Sequence, residues 1–136
     1  MAAELSPNAV ALLRGPHFAT VSTFRKDGSI AGVVTWVDVD DDGRNVLLNT
    51  AEGRGWWHNL RRDPRVTVTV AGPGHREFLS VTGRVVDMTN DGADEHIDRL
   101  ERTYTGHPEY RGRALWPDHV RTTIVIEPDR VTHYGG

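Results

Sequence analysis

Residues 53–65 read Gly53-Arg54-Gly55-Trp56-Trp57-His58-Asn59-Leu60-Arg61-Arg62-Asp63-Pro64-Arg65. The apolar run Val46-Leu47-Leu48-Asn49-Thr50 precedes them, and the alternating run Val66-Thr67-Val68-Thr69-Val70 follows. Set between two strands, the aromatic segment reads as a short helix. Asp63-Pro64 stops it, because proline pushes the residue before it out of the helical region. Arg54 stands where the first backbone N–H groups of that helix lack intrahelical acceptors, a junction suited to an anion such as a phosphate. The same residues also read as a surface connector with solvated arginines.

Upstream of this junction, Ser6-Pro7 can cap and start a short helix over Ala9, Val10, Leu12 and Leu13, with Gly15 placed to end it. Phe18-Ala19-Thr20-Val21-Ser22-Thr23-Phe24 then alternates as a strand, Asp27-Gly28 signals a turn, and Ile30 to Val37 is the returning strand. A second turn at Asp40-Asp41-Asp42-Gly43 leads back to the 46–50 strand. Downstream, 66–71 and 77–88 form another antiparallel pair around Gly72-Pro73-Gly74. Over 91–105 the period changes: Ile97, Leu100 and Tyr104 recur at helical spacing. A loop carries Tyr110 and Trp116 to Pro117, and strands at 120–126 and 131–134 are separated by Glu127-Pro128-Asp129. No repeat or linker divides residues 1–136, so one domain is expected. Short strands with few helices between them fit a closed or partly closed antiparallel barrel, since a parallel sheet needs a crossover after each strand.

Composition removes several function classes. The chain has no cysteine, which excludes disulfides, thiolate metal sites and thiol redox chemistry. No apolar run approaches the roughly 20 residues of a membrane span. The Met1-Ala2-Ala3-Glu4 start is unlike a leader peptide, so a cytoplasmic protein with no membrane partner is expected. A net charge of −3 argues against nucleic acid as a partner, although Arg54, Arg61, Arg62 and Arg65 form a local basic patch. A small anionic ligand suits that pattern better than a polyanion.

Familiar motifs fail on their chemistry. Asp38-Val39-Asp40-Asp41-Asp42-Gly43 opens like a calcium loop, but Asn49 stands where a bidentate glutamate is required. The 7 histidines show no pair at the spacing of a helical zinc site, so no metal is expected. Gly53-Arg54-Gly55 and Gly72-Pro73-Gly74 lack the further glycines or lysine of a dinucleotide or nucleoside triphosphate loop. Ser22, Ser29 and Ser80 lie in no nucleophile elbow, and the catalytic residues stay unknown. A small barrel with an arginine at a helix start and Trp36, Trp56 and Trp57 nearby can hold a flat, phosphorylated cofactor that brings its own hydride chemistry. Each tryptophan taken singly also reads as core or interface packing.

The string Gly-Arg-x-x-x-x-Asn-Leu-x-x-Asp-Pro-Arg follows a strand ending in Asn49-Thr50, with Phe18-Ala19-Thr20-Val21-Ser22-Thr23 and the Asp27-Gly28 hairpin upstream. In this it resembles the pyridoxamine 5′-phosphate oxidase-like flavin-binding split barrels, and more closely their branch that uses the deazaflavin coenzyme F420. Gly83-Arg84-Val85, His96-Ile97-Asp98-Arg99-Leu100, Tyr104-Thr105-Gly106 and Ile126-Glu127-Pro128-Asp129-Arg130-Val131 agree, so the resemblance covers residues 5–134.

The resemblance implies a mainly β, six-stranded antiparallel split barrel (the FMN-binding split barrel) with a few short helices. It also implies a homodimer with two cofactors in grooves at the subunit interface. On this chain, Val34, Thr35 and Trp36 would border the ring system, and Asn49, Thr50, Gly53, Arg54 and Asn59 would surround the phosphate end. Many relatives carry lysine two residues after the arginine, where this chain has Trp56. The string Trp56-Trp57-His58-Asn59-Leu60 is instead similar to that of deazaflavin-dependent nitroreductases, which adds Trp56 and Trp57 to the candidate cofactor residues. The expected function is hydride transfer from reduced F420 to a small electron-poor acceptor: an enone, quinone, tetrapyrrole or nitroaromatic. The alternatives are an FMN-dependent oxidoreductase of the pyridoxamine phosphate oxidase type and a non-catalytic cofactor carrier. His75 and Arg76 are lesser candidates for contacts to an anionic tail, or simply solvated residues of a hairpin tip.

Overall fold

Helix α1 (Pro7–Leu13) starts where Ser6 Oγ accepts the Ala9 N–H at 3.1 Å, which satisfies one of the free donors of its first turn. In the computed structural model, which describes residues 2–135, strands follow. β1 (Ala19–Phe24) and β2 (Ile30–Thr35) form the first hairpin, with Asp27 Oδ1 accepting the Ser29 N–H at 2.9 Å in its turn. β3 (Asp38–Val39) and β4 (Val46–Ala51) form the second, where Asp40 Oδ1 accepts the backbone N–H groups of Arg44 and Asn45. The Asp40 carboxylate is thus engaged in its own turn. Then come α2 (Gly55–Arg62), β5 (Arg65–Ala71), β6 (Phe78–Thr89), α3 (Ala93–Thr105), α4 (Gly112–Leu115) and β7 (Arg121–Tyr134). The side chain of His75 lies outside the described residues.

All strands join one 7-stranded antiparallel sheet in the order β2-β1-β5-β6-β7-β4-β3. β2 and β3 are its two edges, yet only Trp36 and Val37 separate them along the chain. Two linking residues reach only about 10 Å, so the sheet must curl until its edges meet at this corner, which makes it a half-barrel. The interior follows from alternation: Val66, Val68 and Val70 of β5 point inward while Arg65 and Thr69 are exposed. They meet Val21, Leu48, Leu79, Val81, Ile124 and Ile126, with Leu12 and Leu13 of α1 in the same core. Burying each of these side chains stabilises the fold by roughly 1.5–3 kcal/mol. Every residue of β4 is buried, because α3 covers the face that the core does not. No helix of the described residues is long and apolar enough to cross a membrane.

Three details differ from the sequence expectation. The strand expected over Ile30 to Val37 breaks after Thr35, and the seventh strand, β3, begins beyond the break. Tyr104 causes it: its hydroxyl accepts the Val37 N–H at 3.0 Å and donates to the His17 carbonyl at 2.7 Å, replacing ladder bonds with a corner. The strands expected at 120–126 and 131–134 are instead one strand, β7, running through Pro128. Gly83 lies opposite Pro128 at a register shift, and a Cβ on Gly83 would lie 2.2 Å from the Glu127 carbonyl oxygen. Without a side chain there, β7 bulges toward β6 and tolerates a residue that cannot donate to the ladder. The loop before Pro117 contains the one-turn helix α4, which sequence periodicity could not reveal at that length.

Candidate functional site

The expected helix of the 53–65 stretch is α2, and it begins without a side-chain cap. Arg54 is its N-cap residue in extended conformation, exposed and with no ion pair among the described residues. The uncapped N-terminus leaves backbone donors and the positive end of the helix dipole facing outward. Arg54 borders a cavity of about 220 Å³ between α2, the β2 edge, the end of β4 and the start of β7.

Val34, Thr35, Trp36, Asn49, Thr50, Arg54 and Trp56 all line this cavity, brought together from β2, the β2–β3 corner, β4 and α2. The other candidates do not line it. Gly53 turns the chain with φ +89° just before Arg54. Trp57 lies edge-on to His58 at 4.9 Å, with the Arg61 guanidinium 4.9 Å from its ring. Asn59 points under the helix, where it is 9% exposed and donates to Thr23 Oγ1 at 3.1 Å while accepting from Arg62. That bond ties α2 to β1, a contact that holds the helix in place. One face of Trp36 is occupied, because it stacks on Tyr104 at 5.1 Å.

Sequence reasoning missed Val33, Ile97, Leu100, Tyr110 and Arg121 in the wall. Arg121 is the most consequential. It opens a β-branched run and reads as a solvated strand terminus, yet it is 9% exposed. Its Nε donates to Asn49 Oδ1 at 2.9 Å, and its guanidinium lies 5.0 Å from the Tyr110 ring centre. Burial and the nearby positive charge of Arg54 lower its pKa, against the pull of Tyr110 and Asp94, but a guanidinium stays charged at neutral pH. Tyr110 is positioned by α3: its N–H donates to Asp98 Oδ1 at 2.7 Å, and the next N–H, of Arg111, donates to Glu101 Oε1 at 2.9 Å. Gly112 makes room for the ring, since a Cβ there would lie 2.3 Å from it.

A buried polar chain supports the cavity floor. Arginine nitrogens only donate, so the Asn49 atom facing Arg121 is its oxygen, and its amide nitrogen donates to the Ala93 carbonyl at 3.0 Å and to His96 Nδ1 at 3.2 Å. His96 Nε2 then approaches Asp38 Oδ2 at 3.4 Å, close enough for attraction but not aligned as a hydrogen bond. Burial pushes the Asp38 carboxyl up, while the His96 ring, the Val39 N–H and the Arg99 guanidinium at 2.6 Å together pull it below the ordinary carboxylate range. Among the described residues lining the cavity, the ionisable side chains are Arg54, Arg121 and Tyr110. The lining can therefore hold and orient an anionic, flat molecule, but it contains no carboxylate or imidazole for acid–base work.

Residues 5–135 match the family described as pyridoxamine 5′-phosphate oxidase. Among solved structures, an F420 reductase superposes with a TM-score of 0.79 at 23% identity, covering 94% of this chain and 98% of that one. A conserved hypothetical protein from Mycobacterium tuberculosis superposes with a TM-score of 0.71 at 21% identity, covering 98% and 86%. At these identities the likeness establishes the fold. A DNA ligase of Stenotrophomonas maltophilia is 29% identical over 100 residues, which are 74% of this chain but 12% of the ligase. The chain thus spans about an eighth of the length of the curated relatives it matches.

Proposed function

The chain belongs to the pyridoxamine 5′-phosphate oxidase family, and from that premise we propose that it is an oxidoreductase using reduced coenzyme F420 to pass hydride to a small electron-poor acceptor. The observation that carries the reading is the cavity in which the uncapped start of α2 and its free Arg54 face the unpaired edge of β2. The family supports a flavin-type cofactor, and the structural likeness to an F420 reductase favours the deazaflavin.

The residues present fit such a cofactor. Arg54 and the first N–H groups of α2 would hold its phosphoryl end. β2 has a ladder partner on one side only, so the backbone of Val34 and Thr35 would offer donors and acceptors to the polar rim of a planar ring. Trp56, Ile97 and Leu100 would supply apolar walls that exclude water. When bound, the reduced ring supplies the hydride itself, and the chain's part is orientation.

The cavity of about 220 Å³ is smaller than the roughly 300–1,000 Å³ that encloses a typical ligand. On the β2 edge Val34, which lines the cavity, is 66% exposed, and Ile30, at the far end of the same strand, is 64% exposed. A second copy of the chain packed on β2 would cover these side chains and complete the groove, so a homodimer is part of the proposal.

The test is a titration of the purified protein with F420 and with FMN, followed by stopped-flow oxidation of the reduced complex by enones, quinones, tetrapyrroles and nitroaromatics. Tighter binding of F420 and its turnover with one acceptor class support the reading. Tighter FMN binding replaces the cofactor by a flavin, and binding without oxidation by any acceptor makes the protein a carrier.

A further inference from the structure

Arg121 is 9% exposed and has no carboxylate partner among the described residues. Three much more exposed arginines do have a carboxylate: Arg99 pairs with Asp38, Arg113 with Asp98 and Arg84 with Glu127. No carboxylate pairs with Arg121 directly: Asp94 acts on it only from a distance, and a second cation, Arg54, lines the same cavity. A buried charge without a counter-ion and with a like charge nearby lowers the stability of the empty protein. The Tyr110 ring compensates in part through the face of its π-system.

Its orientation is also fixed. Asn49 engages Nε, which leaves the two terminal nitrogens without a hydrogen-bond partner among the described residues, on a side chain that lines the cavity. We propose that Arg121 and Arg54 form a two-guanidinium clamp for a phosphoryl group, with Arg121 the buried, pre-oriented half. This rests on the cofactor reading above: the group is the phosphoryl of a riboflavin- or deazariboflavin-derived cofactor, and the positive charge beside Arg54 comes from the start of β7 rather than from α2.

The experiment compares the wild type with Arg121→Met and Arg121→Lys against FMN, F420, riboflavin and the phosphate-free deazariboflavin. A second readout is the thermal midpoint with inorganic phosphate, using chloride at equal ionic strength as control. The clamp requires Arg121→Met to weaken FMN or F420 binding by about tenfold to a hundredfold, with partial recovery in Arg121→Lys and little change for the phosphate-free ligands. Phosphate should raise the wild-type midpoint and not that of Arg121→Met. The ligand-free midpoint of Arg121→Met should hold or rise, because a buried unpaired charge has been removed.

Equal loss for all four ligands with a lowered ligand-free midpoint makes Arg121 structural and overturns the clamp. So does unchanged binding of the phosphate-bearing ligands, or the absence of any phosphate effect on a protein that binds none of them. A wild type that binds no flavin or deazaflavin but is stabilised by phosphate through Arg121 keeps the clamp and removes the cofactor reading.

Discussion

Asn49 donates its side-chain amide to His96 Nδ1 across 3.2 Å, joining β4 to α3 beneath the cavity. The bond assigns the neutral ring its proton on Nε2, toward Asp38, and it fixes the Asn49 oxygen toward Arg121. Asn49→Asp puts a carboxylate 2.9 Å from the Arg121 guanidinium and neutralises it internally. Cofactor affinity measured by fluorescence titration should fall by roughly tenfold or more, and the thermal midpoint should fall as well, because the new carboxylate oxygen meets the Ala93 carbonyl to which the amide now donates. An unchanged affinity would mean that the charge of Arg121 does not serve the ligand.

Arg54→Ala should weaken cofactor binding by about ten- to a hundredfold, the cost of a charge-assisted contact of about 1.5–3 kcal/mol, with the circular dichroism spectrum intact. Trp56 lines the same cavity, so Trp56→Lys separates two roles. Binding that weakens shows the indole packing against the ligand. Binding that holds or tightens shows the indole filling space and the added charge tolerated.

Exposed Val34 on the β2 edge gives a test of assembly. Val34→Glu should leave the monomer's secondary structure unchanged and shift sedimentation from dimer to monomer, with loss of cofactor affinity, because like charges would face each other across a two-fold interface. A wild type that sediments as a monomer with its affinity intact would end the shared-groove proposal.

Tyr104→Phe removes the hydroxyl that satisfies the Val37 N–H and the His17 carbonyl at the sheet corner. Leaving partly buried backbone groups unpaired costs about 1–3 kcal/mol, which urea denaturation can read. The aromatic stack on Trp36 survives the substitution, so a smaller loss would assign the corner to stacking rather than to the hydrogen bonds.

Asp38 carries a pH dependence. Its folded pKa lies below the ordinary value of 3.8, so the folded state favours the carboxylate. That contribution is present above pH 3.8 and is lost as pH falls through the lower folded value. The stability gap between wild type and Asp38→Asn, from denaturation curves, should therefore be widest near neutral pH and narrow below that value. A gap independent of pH would show that shape, and not charge, matters at this position.

The hairpins at Asp27-Gly28 and Asp40–Gly43, the inward valines of β5 and the aromatic helix ending at Asp63-Pro64 were legible in the sequence. Each depends on backbone preference or periodicity within a few residues. So was the grouping of Val34, Thr35, Trp36, Asn49, Thr50, Arg54 and Trp56, through resemblance to a family whose sheet brings these segments together. Tertiary structure alone decided the rest. β7 runs through Pro128 because Gly83 of another strand leaves room for a bulge, and β2 stops at Thr35 because Tyr104 arrives from a helix 67 residues beyond Val37. Asn59 reads like a ligand-binding residue but spends its side chain on Thr23. Arg121 reads as a solvated strand end, and only closure of the sheet, which sets it against Asn49 at a separation of 72 residues, turns it into a buried cation facing the cavity. Local pattern fixes how the chain bends and which face of an element is apolar, whereas the environment of a charge is set by whatever distant segments the folded sheet packs around it.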